Sequence, residues 1–169
     1  DYRPDFAGTA YEETSLAELL TMTSGVGDLE VWDVPNAGIK RFEQAVMGGG
    51  DVADVVRSAP RTAPAGERFN YSTFDAQLLG WVLEAATGQS LASYASSRLW
   101  RRIGAERDAY YGLSRSHPRT AIGAGAFNAT ARDLARLGLL MAHDGRLAGQ
   151  QLVPRDWTRR SRGADVPHL

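Results

Sequence analysis

One segment near the middle of the chain restricts the possible folds more than any other. Residues 74–86, FDAQLLGWVLEAA, carry apolar side chains at Phe74, Leu78, Leu79, Trp81, Val82, Leu83, Ala85 and Ala86. On a helix these positions cover nearly the whole circumference, so such a helix should be buried on most sides. Its ends are marked as well. Gly88 suits a left-handed C-terminal cap, and Pro60, Pro64 and Gly66 make 59–70 a loop. Tyr71 falls between that loop and the helix, within GERFNYS. An aromatic placed there is commonly a core residue whose hydroxyl bonds to backbone. The other reading is a general acid or base. A free phenol titrates near ~10. It works near neutral pH only where cations stabilise the phenolate or a lysine relays the proton. The chain has one lysine, Lys40, against eighteen arginines. The cation would then be Lys40, an arginine, or a lysine outside these 169 residues.

The rest of the pattern is mostly helical. Ser15 and Glu18 form a Ser-x-x-Glu capping box that opens a short helix through Leu16, Leu19 and Leu20, ending near Thr23 and Gly25. Residues 39–47 and 51–58 read as two more short helices, parted by Gly48, Gly49 and Gly50. Ser90 can cap a helix over 91–101 with Leu91, Tyr94, Leu99 and Trp100 inward. Residues 107–113 and 121–127 are the best short-strand candidates. Thr130, with Asp133 three residues on, caps a helix through Leu134, Leu137, Leu140 and Met141. Pro154 opens a last short helix containing Trp157. Neither a repeat nor a linker divides the chain, so residues 1–169 read as one domain.

Composition removes several function classes. A hydrophobic content of 43% supports a real core. The net charge of −1 argues against nucleic acid and against a basic membrane patch. Arg155, Arg159, Arg160 and Arg162 read as a solvated helix face. The absence of cysteine excludes disulfides and thiolate metal sites. His117, His143 and His168 lack metal-ligand spacing, so no metal or cofactor is expected. No apolar run reaches spanning length. Gly-x-Ser-x-Gly, phosphate-loop and Gly-x-Gly-x-x-Gly patterns are all missing. The compartment is not encoded in any pattern.

GERFNYS resembles the Gly-x-x-Phe-x-Tyr-Ser segment of the serine β-lactamase and penicillin-binding-protein superfamily. The likeness is greatest to an esterase-like branch that includes the 6-aminohexanoate-dimer hydrolases. Four further segments agree in order: SLAELLTMTSGV at 15–26, LLGWVLEAATGQSLASYASSRLW at 78–100, GAFNATARDLARLGLLMAHDG at 125–145 and GQQLVPRDWTRRS at 149–161. Each is moderately specific; five in register are specific.

The resemblance implies an α+β fold of the β-lactamase/transpeptidase type. This chain would supply a mostly helical part of it with a few short strands, an incomplete domain comprising the helical subdomain and its flanks. It implies acyl transfer from a serine of a Ser-x-x-Lys pair, through an acyl-enzyme, to water. The substrate would be a small-molecule ester, amide or lactam. Tyr71 takes the place of the tyrosine that shuttles the serine proton. Thr73 stands where many members have Asn, which removes an amide able to donate and accept and favours ester or small-amide substrates over β-lactams. Ser72 is expected to be structural. Gly125 and Asn128 are expected beside the substrate, and Phe127 is expected to pack. The serine–lysine pair would precede Asp1 and the third motif would follow Leu169. Ser24 and Ser72 cannot substitute for the nucleophile, since neither has a lysine three residues on. Two other outcomes fit the same residues: a non-catalytic binding or sensor module, and an inactive truncated chain.

Overall fold

The computed structural model describes residues 2–27, Glu30 and 33–163. His168 lies outside the described residues. The described residues form two units, the first built from those up to Gly88 together with Gly112–Ala126, the second from Gln89–Tyr111 and those from Phe127 to Gly163.

In the first unit, helix α1 (Leu16–Leu20) starts at the Ser15 capping box, with both reciprocal bonds present. Helix α2 (Gly38–Gly48) ends at Gly49, whose φ of 85° is the left-handed cap. Asp51 caps helix α3 (Val52–Arg57) by accepting from the Ala53 and Asp54 amides. Helix α4 (Thr73–Thr87) is the apolar segment, capped by Ser72 and closed by Gly88 at φ 65°. The core joins Phe6, Tyr11, Leu19, Val26, Phe42, Val52, Val56, Phe74, Leu78, Trp81 and Ile122. Burial of α4 extends only as far as Trp81: Phe74, Leu78 and Trp81 are buried, whereas Leu83 is 37% exposed. The core lies against Phe74, Leu78 and Trp81, and the far turns run past it.

The segment 112–126 completes this unit. Trp81 Nε1 donates to Thr120 Oγ1 at 2.6 Å, and Gln77 Nε2 donates to the Ala121 carbonyl at 2.9 Å. Of the strands expected at 107–113 and 121–127, this unit holds a single bridge, Leu113 with Ala121. Glycine explains the shortness. A Cβ on Gly112 would lie 3.0 Å from the Ala126 Cβ, so the backbones approach too closely for two rows of side chains.

In the second unit, the expected helix over 91–101 changes character midway. Ser90 caps helix α5 (Leu91–Ala95), which continues as a π-helical turn over Ser96–Trp100. Strand β1 (Tyr110–Tyr111) pairs antiparallel with β2 (Phe127–Asn128). Phe127 packs as expected, 5.4 Å from the Trp100 ring and 5.0 Å from the Tyr111 ring. Thr130 caps helix α6 (Ala131–Ala142) by accepting from the Asp133 amide. A hairpin of β3 (Arg146–Leu147) and β4 (Gln150–Gln151) comes next. Its turn residues Ala148 and Gly149 both have positive φ, 47° and 80°, the type I′ geometry that suits a two-residue hairpin. Alanine at the first position hides that turn from a sequence pattern. Pro154 is the N-cap of helix α7 (Arg155–Arg162). The arginine-rich face is solvated, as expected, and Arg155, Arg159 and Arg162 gather around Asp144.

Candidate active site

Tyr71 contrasts sharply with its C-terminal neighbours. Ser72, Thr73, Phe74 and Asp75 are all buried, between 1% and 9% exposed, while Tyr71 is 56% exposed. Its hydroxyl makes no hydrogen bond among the described residues. That is not the environment of a core tyrosine, whose hydroxyl would find a buried partner.

The backbone that carries Tyr71 is fixed from both sides. The Asn70 amide donates to the Met22 carbonyl at 2.8 Å. Ser72 caps α4, its Oγ accepting from the Asp75 amide at 3.1 Å. The Thr73 amide donates to the Glu30 carboxylate. Loop 59–70 is stitched to residues 22–27 along its length: the Thr62 amide reaches the Gly25 carbonyl at 2.8 Å, and the Gly66 amide reaches the Thr23 carbonyl at 2.8 Å. Gly25, at φ 69°, is required there. A Cβ would meet the Ala63 carbonyl oxygen at 2.1 Å.

Behind this turn is a buried carboxylate. Asp75 Oδ1 accepts the Tyr11 hydroxyl at 2.8 Å and the Ser24 hydroxyl at 2.9 Å. Ser24 Oγ also accepts from the Val26 amide at 3.1 Å. Burial pushes the Asp75 carboxyl up to about 6, against the opposing pull of the Tyr11, Ser24 and Ser72 hydroxyls. Burial, and then the neighbouring Asp75 charge, raise the Tyr11 phenol far above its ordinary range. Arg61 donates to the Ser24 carbonyl at 2.9 Å and to the Ala10 carbonyl. Lys40, the one lysine, pairs with Glu43 at 3.6 Å.

The structure also locates the other positions expected from sequence. Thr73 is the first residue of α4, 9% exposed. Gly125 has φ 147° and open space where a Cβ would stand. These two belong to the first unit with Tyr71, and Asn128 belongs to the second. The buried cluster of Tyr11, Ser24 and Asp75 escapes sequence reasoning. Its one signal is a carboxylate in the first turn of a mostly apolar helix, which burial should not leave unpartnered. Among the described residues no group of acidic side chains and histidines could hold a metal ion. No described helix is long and apolar enough to cross a membrane.

Comparison with known proteins identifies the family. A 6-aminohexanoate-dimer hydrolase of Paenarthrobacter ureafaciens is 27% identical over 165 residues, which cover 93% of this chain and 41% of that protein. A solved structure from Bacillus anthracis, provisionally described as a 6-aminohexanoate-dimer hydrolase, superposes with a TM-score of 0.78 at 26% identity, covering 94% of this chain and 44% of the other. A penicillin-binding protein from Bacillus halodurans shares the fold at a TM-score of 0.63 and 20% identity, over 91% of this chain and 52% of the other. The chain thus spans less than half the length of the first two. The β-lactamase family model matches residues 1–168. With a fold of the β-lactamase/transpeptidase type and a family match along almost its whole length, the chain belongs to the β-lactamase family.

Proposed function

We propose that this chain is part of a serine hydrolase that cleaves a small-molecule ester, amide or lactam through an acyl-enzyme, with Tyr71 as the proton shuttle. One observation carries the reading. Tyr71 is exposed, on a backbone that is buried and hydrogen-bonded on both sides. A phenol presented in this way is pre-oriented toward a reacting group, and a positioned acid–base group contributes roughly 10²–10⁴-fold to rate. Family membership and the relatives named as hydrolases support the reaction class. Thr73, Gly125 and Asn128 are proposed on the substrate side. Threonine lacks the amide that asparagine would offer, which favours esters and small amides over β-lactams.

The test is turnover of an activated ester by the full-length protein and its Tyr71→Phe variant. The expected result is a fall in kcat of about 10²-fold or more with little change in KM. Equal kcat in the two proteins would overturn the role of Tyr71.

A further inference from the structure

We propose that Asp75 is a positioning residue for Tyr71: its buried carboxylate ties the turn that carries the phenol to the Tyr11 turn and the Ser24 loop, and so sets where the phenol stands. This rests on the reading of Tyr71 as the proton shuttle.

The inference starts from a mismatch. Asp75 is 1% exposed inside a helix whose neighbours are mostly apolar. Burying an ionised carboxylate costs free energy, and well-packed neutral side chains often serve stability better. The carboxyl's upward shift says the same: at neutral pH its charged form works against the fold. Stability alone therefore does not account for it.

Its hydrogen bonds suggest what does. Two hydroxyls converge on the one oxygen, Oδ1, and an ionised carboxylate, an acceptor only, suits that geometry. The bonds close a ring around Tyr71. Asp75 holds Ser24 at 2.9 Å. Two residues back along the chain, the Met22 carbonyl holds the Asn70 amide at 2.8 Å. Tyr71 and Ser72 come next, and Ser72 Oγ holds the Asp75 amide at 3.1 Å. Tyr71 is the one member of this ring facing outward. Its hydroxyl has no hydrogen bond among the described residues, so its direction is set by the backbone on which it stands. Tyr11, bonded to the same oxygen, extends the hold to a turn far away in sequence.

Among the described residues, the titratable and charged groups around the carboxylate are few. Tyr11 bonds to it directly. Arg61 reaches the Ser24 carbonyl from the loop side. Glu30 accepts from the Thr73 amide at the same helix N-terminus, where the helix dipole favours negative charge. Neither Arg61 nor Glu30 shares a hydrogen bond with Asp75. The ring's tightness should therefore follow the protonation of Asp75.

The experiment uses the full-length protein with ¹³C-labelled tyrosine and amide hydrogen exchange, comparing wild type, Asp75→Asn and Tyr11→Phe. Turnover is not read, so failure here leaves the shuttle role of Tyr71 standing. Three results are expected. The Tyr71 ring signals of wild type move with a midpoint near pH 6, and that movement disappears in Asp75→Asn. The Asn70 amide exchanges at least ~10-fold faster in Asp75→Asn. The Trp81 indole, bonded to Thr120, keeps its protection. Tyr71 signals and Asn70 exchange unchanged in the variants would overturn the proposal. Protection lost evenly at every amide would overturn it too, since that marks a plain stabiliser. Should Asp75→Asn fail to fold, Tyr11→Phe decides by the exchange criteria.

Discussion

Tyr11 and Asp75, 64 residues apart, are joined by a buried hydrogen bond of 2.8 Å from phenol to carboxylate. The bond fastens the first residues of the chain to the first turn of α4, one turn beyond Tyr71. It also fixes how the protein should answer to pH. The folded carboxyl is raised from 3.8 to about 6, so the folded state holds its proton more tightly than the unfolded state does. Stability from this group is therefore greatest below the unfolded value and declines as pH rises through 3.8 to about 6. Wild type compared with Asp75→Asn isolates the effect, because the other carboxylates cancel. Urea unfolding at pH 4 and pH 7.5 should show wild type losing roughly 2 kcal/mol relative to the variant as pH rises. A difference independent of pH would refute the assignment.

Tyr71→Phe should leave the fold alone. The ring is 56% exposed and its hydroxyl has no partner among the described residues. Its unfolding free energy should match wild type within ~0.5 kcal/mol. This chain by itself should show no turnover of an activated ester above background. Turnover that vanishes in Tyr71→Phe would contradict that expectation and place a working nucleophile within these residues.

Gly25→Ala should damage the loop under Tyr71. The new methyl would meet the Ala63 carbonyl oxygen at 2.1 Å, and the φ of 69° disfavours any side chain. A loss of about 3 kcal/mol is expected from overpacking and backbone strain together. Gly8→Ala is the control. It has a similar φ of 75° and nothing within 4 Å, so it should cost about 1 kcal/mol. Equal costs for the two would show that the close approach is relieved by the loop.

Asp133→Asn should loosen the second unit from one end. The Asp133 side chain is buried and accepts from the Glu106 amide at 2.8 Å, the Arg107 amide at 3.2 Å and the Thr130 hydroxyl at 2.8 Å. The Glu106 amide bond is the main cause holding its carboxyl below the ordinary range. The sign is opposite to that of Asp75. This stability is present above the unfolded value of 3.8 and is lost as pH falls below it. The variant should have a lower Tm at pH 7 and faster amide exchange at Glu106 and Arg107, and the Tm gap should shrink near pH 3.

Where interactions are local, the sequence reveals them. The Ser15 capping box, the Ser90 and Thr130 caps and the Gly88 stop rest on residues within four positions of one another, and each occurs as expected. The position of Tyr71 between a loop and a helix is legible for the same reason, whereas its proposed role comes from the family resemblance alone. The ring behind it is not legible, because Tyr11 and Ser24 come to Asp75 from 64 and 51 residues away. Periodicity cannot encode such a meeting. The strands at 107–113 and 121–127 are shorter than their pattern suggests because glycine in mid-run weakens a ladder without ending the pattern. The π-helical turn over Ser96–Trp100 shows no break in helical propensity at all.

Among the described residues the first unit is built from two stretches, with the whole of Gln89–Tyr111 between them. A growing chain that has just released Trp81 and Gln77 from the ribosome cannot yet finish that unit, since Thr120 and Ala121, which receive their hydrogen bonds, are still unmade. Cutting the gene at Gly88 would strand those donors beside a core missing Ile122. A workable excision must instead keep Gly112–Ala126 joined to residue 88, so the unit's boundary here is a splice.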